Sequence, residues 1–138
     1  MSPALLFAAA PKPGVVIFAK DVPRVARFYQ EVFSLVVTHA EGGDVVLESA
    51  AVQLVIHSIP AWIARDITVT TPPELREDCA LKLFLPVARI ADARAAAAGA
   101  GGAIGPPARE WSARGFRACD GHDPEGDVIQ VREADSGP

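Results

Sequence analysis

The sequence predicts an α+β fold made of two pseudo-repeated β-α-β-β-β modules. Three observations predict it. A β-prone run, an amphipathic helix and three further strand-like runs occur in that order near the start of the chain, and the same order returns after residue 80. The helices carry start and stop signals at matching places. Between the copies, residues 60–79 hold Pro72-Pro73 and several charges and read as a linker. The chain has 138 residues, which suits one compact domain or two half-size units sharing a core.

The elements follow in order. Val15-Val16-Ile17-Phe18-Ala19 is the first strand. Lys20-Asp21-Val22-Pro23 starts a helix, with Asp21 as cap and Pro23 in the first turn. Val25, Phe28, Tyr29, Val32 and Phe33 recur at steps of three and four and form one apolar stripe, and Ser34-Leu35 closes the helix. Strands follow at Val36–His39, Asp44–Glu48 and Val52–His57, with Gly42-Gly43 turning between the first two. Pro60 to Ile63 reads as one helical turn. In the second copy Leu81–Val87 is a strand, and Ile90–Ala98 is an alanine-rich helix stopped by Gly99. Ala103-Ile104 is a short strand before a proline-rich loop. Phe116–Asp120 and Asp127–Arg132 form a hairpin around Asp123-Pro124-Glu125-Gly126, where proline presets φ and glycine accepts a positive φ. The organisation is then an arm (1–13), a first module (14–59), the linker (60–79), a second module (80–133) and a tail (134–138).

Composition removes several classes of function. Half the residues are apolar and 22% are charged, which argues against disorder. The net charge of −4 argues against broad nucleic-acid binding. Apolar runs such as Leu5–Ala10 are too short to span a membrane. The first residues lack a positive n-region and read as an arm rather than a signal peptide. Cys79 and Cys119 have neither metal-site nor disulfide spacing and read as buried, reduced thiols of a cytoplasmic protein. No phosphate-binding loop is present.

Two motifs carry a family resemblance. Val22-Pro23-Arg24-Val25-Ala26-Arg27-Phe28-Tyr29-Gln30-Glu31-Val32-Phe33-Ser34-Leu35 resembles the helix signature of the vicinal oxygen chelate superfamily. That superfamily includes glyoxalase I, extradiol dioxygenases, fosfomycin-modifying transferases and bleomycin-resistance proteins. Gly115-Phe116-Arg117, followed by Asp123-Pro124-Glu125-Gly126-Asp127-Val128-Ile129-Gln130-Val131, resembles its second signature. The resemblance spans residues 14–133. It implies the glyoxalase/bleomycin-resistance fold: two curved sheets, each with a helix on its convex side, closing a cup, often in a homodimer. In that fold Val52, Leu54 and Ile56 face the helix, and Gln53, Val55 and His57 face the cup. Lys82, Phe84 and Pro86, and likewise Val128, Gln130 and Arg132, face the cup in the second module.

The resemblance also implies where a metal would be held in the catalytic members: at the first strand's start and on the fourth strand of each module. Counting seven residues back from Asp21 reaches Gly14, and seven back from Arg89 reaches Lys82. The fourth-strand positions are Gln53 and Gln130. Glycine donates nothing, lysine repels a cation, and glutamine is a weak donor. The expectation is therefore no metal, no cofactor and a cup that binds an organic ligand unaided.

The candidate ligand-binding residues are Lys82, Gln53, His57, Gln130, Asp120 and Trp111. Lys82 has two readings: an anchor for a carboxylate or phenolate, or an ion pair with Asp120. His57 is a pocket-lining residue or a base. Trp111, on the loop covering the cup in relatives, either stacks on a flat ligand or packs at an edge. His39 and His122 read as solvated, Trp62 as a packing or interface anchor, and Arg24, Arg27, Arg89 and Arg94 as solvated helix faces. Two functions follow. One is a metal-independent small-molecule-binding protein, a homodimer with no nucleic-acid or membrane partner. The other is a glyoxalase-like lyase or isomerase, or a dioxygenase-like enzyme, with an altered metal site and with His57, Glu48 or Asp120 as base.

Overall fold

The computed structural model describes residues 11–135; residues 1–10 of the expected arm and 136–138 of the tail lie outside the described residues. The first module runs β1 (Gly14–Ala19), α1 (Val22–Phe33), β2 (Val36–Glu41), β3 (Asp44–Glu48) and β4 (Gln53–Ser58). A short helix, α2 (Ala61–Ala64), opens the connection to β5 (Leu83–Pro86), α3 (Ile90–Gly99), β6 (Ala103–Ile104), β7 (Trp111–Ala113), β8 (Phe116–His122) and β9 (Val128–Ala134). The first sheet has the order β1-β4-β3-β2, with β1 parallel to β4. The second has the order β5-β9-β8-β6, with β5 parallel to β9. The two orders correspond, so the duplication read from the sequence is a duplication of topology.

The second copy departs at its edge. β6 pairs with Gly121 and His122, and β7 pairs with Phe116 to Ala118 on the same strand. One edge strand is thus split by the insertion at Pro106-Pro107, where a single 3-10 turn (Pro107–Arg109) bulges out. Trp111, expected on a loop, lies in a strand. Proline lacks the N–H that a continuous ladder needs, so the pairing stops and restarts around it.

Asp21 caps α1 by accepting from the Arg24 amide at 3.2 Å, and Ser34 ends the helix in the left-handed region at φ 53°. Arg89 provides no such cap for α3; instead Glu133 on β9 accepts from the Ile90 amide at 2.7 Å. α3 continues through Gly99, one residue past the expected end, and Gly101 takes the positive φ of 87°.

Both helices feed one core. Val25, Phe28, Tyr29, Val32 and Phe33 of α1 meet Leu47, Leu54 and Ile56 of the first sheet and Ile90, Ala93, Ala97, Ile129 and Val131 of the second module. A Cβ on Gly102 would lie 2.4 Å from a Phe28 ring carbon, so the chain after α3 needs glycine there to admit the ring. The two motif segments also touch. Tyr29 donates its hydroxyl to Asp123 at 2.8 Å, across 94 positions of sequence. Glu125 accepts from the amides of Lys20 (2.8 Å) and Asp21 (2.7 Å), tying the second module's turn to the entrance of α1. Gly126, at φ 93°, lets the linker carbonyl of Glu74 pass where a Cβ would sit 2.1 Å away. The Asp-Pro-Glu-Gly segment is therefore a staple between modules as well as a hairpin turn.

Two expectations about exposure are corrected. Cys119 is buried, but Cys79 is exposed because the linker crosses the surface. Arg94 is not a solvated helix residue: it donates to the Gly105 carbonyl at 2.7 Å and to Glu110 at 2.6 Å, holding the split edge strand against α3.

Candidate functional site

Each sheet has one face on the helices and one free of them. On the second sheet the free face carries Lys82, Phe84, Phe116, Asp120, Gln130 and Arg132, while Leu85, Cys119, Ile129 and Val131 turn into the core. Alternation alone fixes this division. The strand pairing sets Asp120 directly opposite Gln130 and Phe84 opposite Gln130 on the other side. Counting residues had made Lys82 the counterpart of Gly14. In the first module Gly14 pairs with Gln53, whereas in the second Phe84, not Lys82, stands across from Gln130. The modules are out of register by two residues at this point.

Lys82 nonetheless reaches the cluster. Its ammonium lies 2.7 Å from Asp120, with both side chains 45% exposed. Gln130 donates to the other Asp120 oxygen at 3.0 Å and accepts from Arg132 Nε at 2.6 Å. A single chain of polar contacts thus runs Lys82–Asp120–Gln130–Arg132. Partial burial pushes the Asp120 carboxyl up, but the hydrogen bonds from Lys82 and Gln130 outweigh it and hold the group below its ordinary range. The Arg132 guanidinium packs 3.5 Å from the centre of the Phe84 ring and 4.3 Å from that of Phe116. Trp111, 42% exposed, meets Phe116 edge-on at 5.7 Å.

A cleft of about 600 Å³ opens at one end of this face. Lys82, Asp120, His122 and Val128 line it together with Leu75 and Cys79 of the linker, Leu81 just after the linker, and Ile104, Pro106 and Arg109. His122, read as solvated, lines this cleft, with its Nδ1 2.9 Å from the Asp123 carbonyl. Sequence reasoning missed the linker wall, and it set Arg132 on the cup face without naming it among the candidate ligand-binding residues. The alternating pattern that placed Gln130 held the signal for Arg132, two residues on.

The first module's free face is different. Gln53 sits beside Glu48, which also accepts from Thr38 at 2.6 Å and pairs with Lys12 at 3.1 Å. Burial would raise the Glu48 carboxyl, yet the hydrogen bonds from Thr38, Lys12 and Gln53 bring it below its ordinary range. His57 lies 3.6 Å from Asp44 and 5.4 Å from the Phe18 ring, with its Nδ1 2.8 Å from the Ser58 carbonyl. Val16 and Phe18 stand open beside it, 52% and 57% exposed. Gln53 and His57 therefore lie on one sheet, and Lys82, Asp120, Gln130 and Trp111 on the other. Among the described residues, no group of three or more His, Cys, Asp or Glu side chains is placed to hold a metal ion. A Cβ on Gly14 would lie 2.5 Å from the Gln53 carbonyl oxygen, so no ligating side chain fits at that position without a shift of the strand.

This architecture is that of the glyoxalase/bleomycin-resistance fold. Among solved structures, the chain is similar to a glyoxalase/bleomycin resistance protein/dioxygenase family enzyme from Burkholderia phytofirmans PsJN (TM-score 0.63, 16% identity, covering 88% of this chain and 96% of that one). It is similar to a glyoxalase/bleomycin resistance protein from Albidiferax ferrireducens T118 (TM-score 0.62, 16% identity, 88% and 96%). It is also similar to the fosfomycin resistance protein FosX from Mesorhizobium loti (TM-score 0.61, 12% identity, 91% and 92%). The fold implied by the two sequence motifs is thus the fold observed. No protein-family model matches the sequence, and no curated protein matches it. No helix among the described residues is long and apolar enough to cross a membrane.

Proposed function

We propose that the protein binds a small organic molecule without a metal, on the helix-free face of its second module. The observation that carries this is the state of the four positions where catalytic relatives hold a cation. Gly14 offers no donor, Phe84, which stands across from Gln130, offers none either, and Lys82, the position reached by counting, brings a positive charge already paired with Asp120. Gln130 is spent on Asp120 and Arg132, and Gln53 on Glu48. A divalent ion needs neutral or anionic lone pairs converging on one point, and this set does not fit one. The cleft of about 600 Å³ beside Lys82 and Asp120 is of a size that small ligands occupy. The candidate residues are Lys82, Asp120, Gln130 and Trp111 on this face, with Gln53 and His57 opposite if the two free faces close on one ligand.

The same reading includes the division into two modules joined by residues 60–79, a cytoplasmic location and a homodimer. Exposed Val16 and Phe18 support the dimer, since paired copies would cover them. The competing lyase or isomerase reading needs a base poised near neutrality. Of its three candidate bases, Glu48 and Asp120 are both held low by their partners, which leaves that reading to His57.

The test is metal analysis of protein purified without chelator, with thermal unfolding in the presence of Ni, Zn, Mn or Fe salts and of EDTA. The expected result is substoichiometric metal and an unchanged midpoint. A stoichiometric ion that survives dialysis overturns the proposal.

A further inference from the structure

We infer that Arg132 is the anchor for the ligand's negative group, and that the ligand is a small aryl or alkyl carboxylate. The inference rests on the second module's free face being the binding surface. Arg132 is built for recognition rather than for internal pairing. Its Nε is fixed by Gln130 Oε1 at 2.6 Å, and Gln130 is fixed in turn by Asp120. Two phenyl rings pack against its guanidinium, those of Phe84 and Phe116. Its side chain is therefore held in one orientation before any ligand arrives. Its terminal nitrogens, Nη1 and Nη2, have no hydrogen-bond partner among the described residues. The acids on β8 and β9 are engaged elsewhere: Asp120 with Lys82 and Gln130, and Glu133 with the Ile90 amide.

The sign of the charge and the shape of the guanidinium choose the ligand class. Lys82 and Asp120 neutralise each other. Arg132 has no acid partner among the described residues, and Arg114, 5.3 Å from the Phe116 ring, and Arg109, lining the cleft, add further positive charge, so this end of the sheet favours an anion. A guanidinium presents paired N–H donors in one plane, and a carboxylate accepts them bidentately. Phe84, half exposed on the guanidinium, and Trp111, edge-on to Phe116, offer apolar surface to the body of such a ligand.

The experiment titrates the full chain with benzoate and phenylacetate, and with benzamide and benzylamine as neutral and cationic counterparts. Binding is followed by calorimetry and by the arginine side-chain resonances in ¹H–¹⁵N spectra. The expected result is that the two carboxylates bind, that the Arg132 Nε–H signal moves, and that the amide and amine bind at least about tenfold more weakly, as the loss of one charge-assisted contact implies. Arg132→Lys should lose most of the affinity, because an ammonium lacks the planar fork. The wild-type resonance shift keeps the test decisive if that variant folds poorly. Equal affinity for benzamide, a silent Arg132 signal, or no carboxylate binding overturns the assignment. If only the amide or amine binds, the metal-free binding reading stands and the anion anchor falls. If a stoichiometric metal is found, that reading falls by itself.

Discussion

The two modules share a topology but divide the work of the molecule. The first supplies bulk. Its helix places Phe28, Tyr29 and Phe33 in the core, and two acids of its free face, Asp44 and Glu48, lie against His57 and Lys12. The second supplies small residues and a polar surface. Its helix buries Ile90, Ala93 and Ala97, leaving room for the aromatic residues of the first. Its free face carries a four-membered polar chain beside a cleft. Duplicated topology therefore does not mean duplicated roles: once one helix fills the shared space, its twin must be thin.

The largest expected effect breaks this division directly. Phe28→Ala removes a fully buried ring at the meeting point of α1 and Gly102 and should cost about 3–5 kcal/mol. Ala93→Gly, at an equally buried site of α3, deletes one methyl and adds backbone entropy, and should cost only about 1–2 kcal/mol. Urea unfolding of both variants checks the contrast. Comparable losses would mean that the two helices share the core evenly.

The staple between the modules should give stability an unusual pH dependence. Burial, reinforced by neighbouring Asp127, pushes the Asp123 carboxyl from 3.8 up to about 7, against the opposing hydrogen bonds from Tyr29 and the Glu125 amide. Between those two values the folded chain keeps this proton and the unfolded chain releases it. Stability from this group therefore falls as pH rises from about 4 to about 7, by a few kcal/mol, and is flat beyond. Asp123→Asn mimics the neutral carboxyl: its oxygen accepts from the Glu125 and Asp127 amides, and its NH₂ faces the Tyr29 hydroxyl. The variant should be more stable than wild type at pH 8 and lack the decline, as urea midpoints at pH 5 and pH 8 would show. A parallel decline in both proteins would sink this account.

Sequence periodicity made most of the fold legible, for local reasons. The Val25-Phe28-Val32 stripe, the Asp21 cap and the Gly42-Gly43 turn (φ 62° and 86°) are all short-range choices that the fold confirms. Strand alternation also put Lys82, Asp120 and Gln130 on one face. What stayed hidden depends on contacts between distant parts of the chain. The register difference between the modules is set by sheet pairing, not by counting from a helix cap. The linker wall of the cleft follows from where residues 75–81 cross the second sheet. Arg94 is spaced like a solvated helix residue, and only the position of Glu110 reveals its partner.

Gly14 tests the comparison at the start of β1. Gly14→Ala places a methyl 2.5 Å from a backbone oxygen of β4, so the edge strand must shift, at about 1–3 kcal/mol. Lys82→Ala, at the other position reached by counting, meets no such obstacle. A thermal midpoint that drops for Gly14→Ala and barely moves for Lys82→Ala is the expected pattern.

The smallest effect on stability is the most useful for function. Lys82 and Asp120 are each 45% exposed, so water replaces much of what their bridge provides, and Lys82→Met should cost no more than about 1 kcal/mol. Because the folded Asp120 carboxyl titrates below its ordinary 3.8, the bridge's contribution is present in full above that range and is lost as pH falls beneath it. In the variant the Asp120 carboxyl should move upward, measured by a ¹³C carboxyl titration. Gln130 would then keep one hydrogen bond to Asp120 but lose the charge that fixed it, and Arg132 Nε would be held less firmly. If the polar chain orders the guanidinium, Lys82→Met weakens carboxylate binding by a small factor while Arg132→Lys removes most of it. If Lys82 itself holds the ligand, the two losses will be alike, and the anchor belongs at the cleft rather than between Phe84 and Phe116.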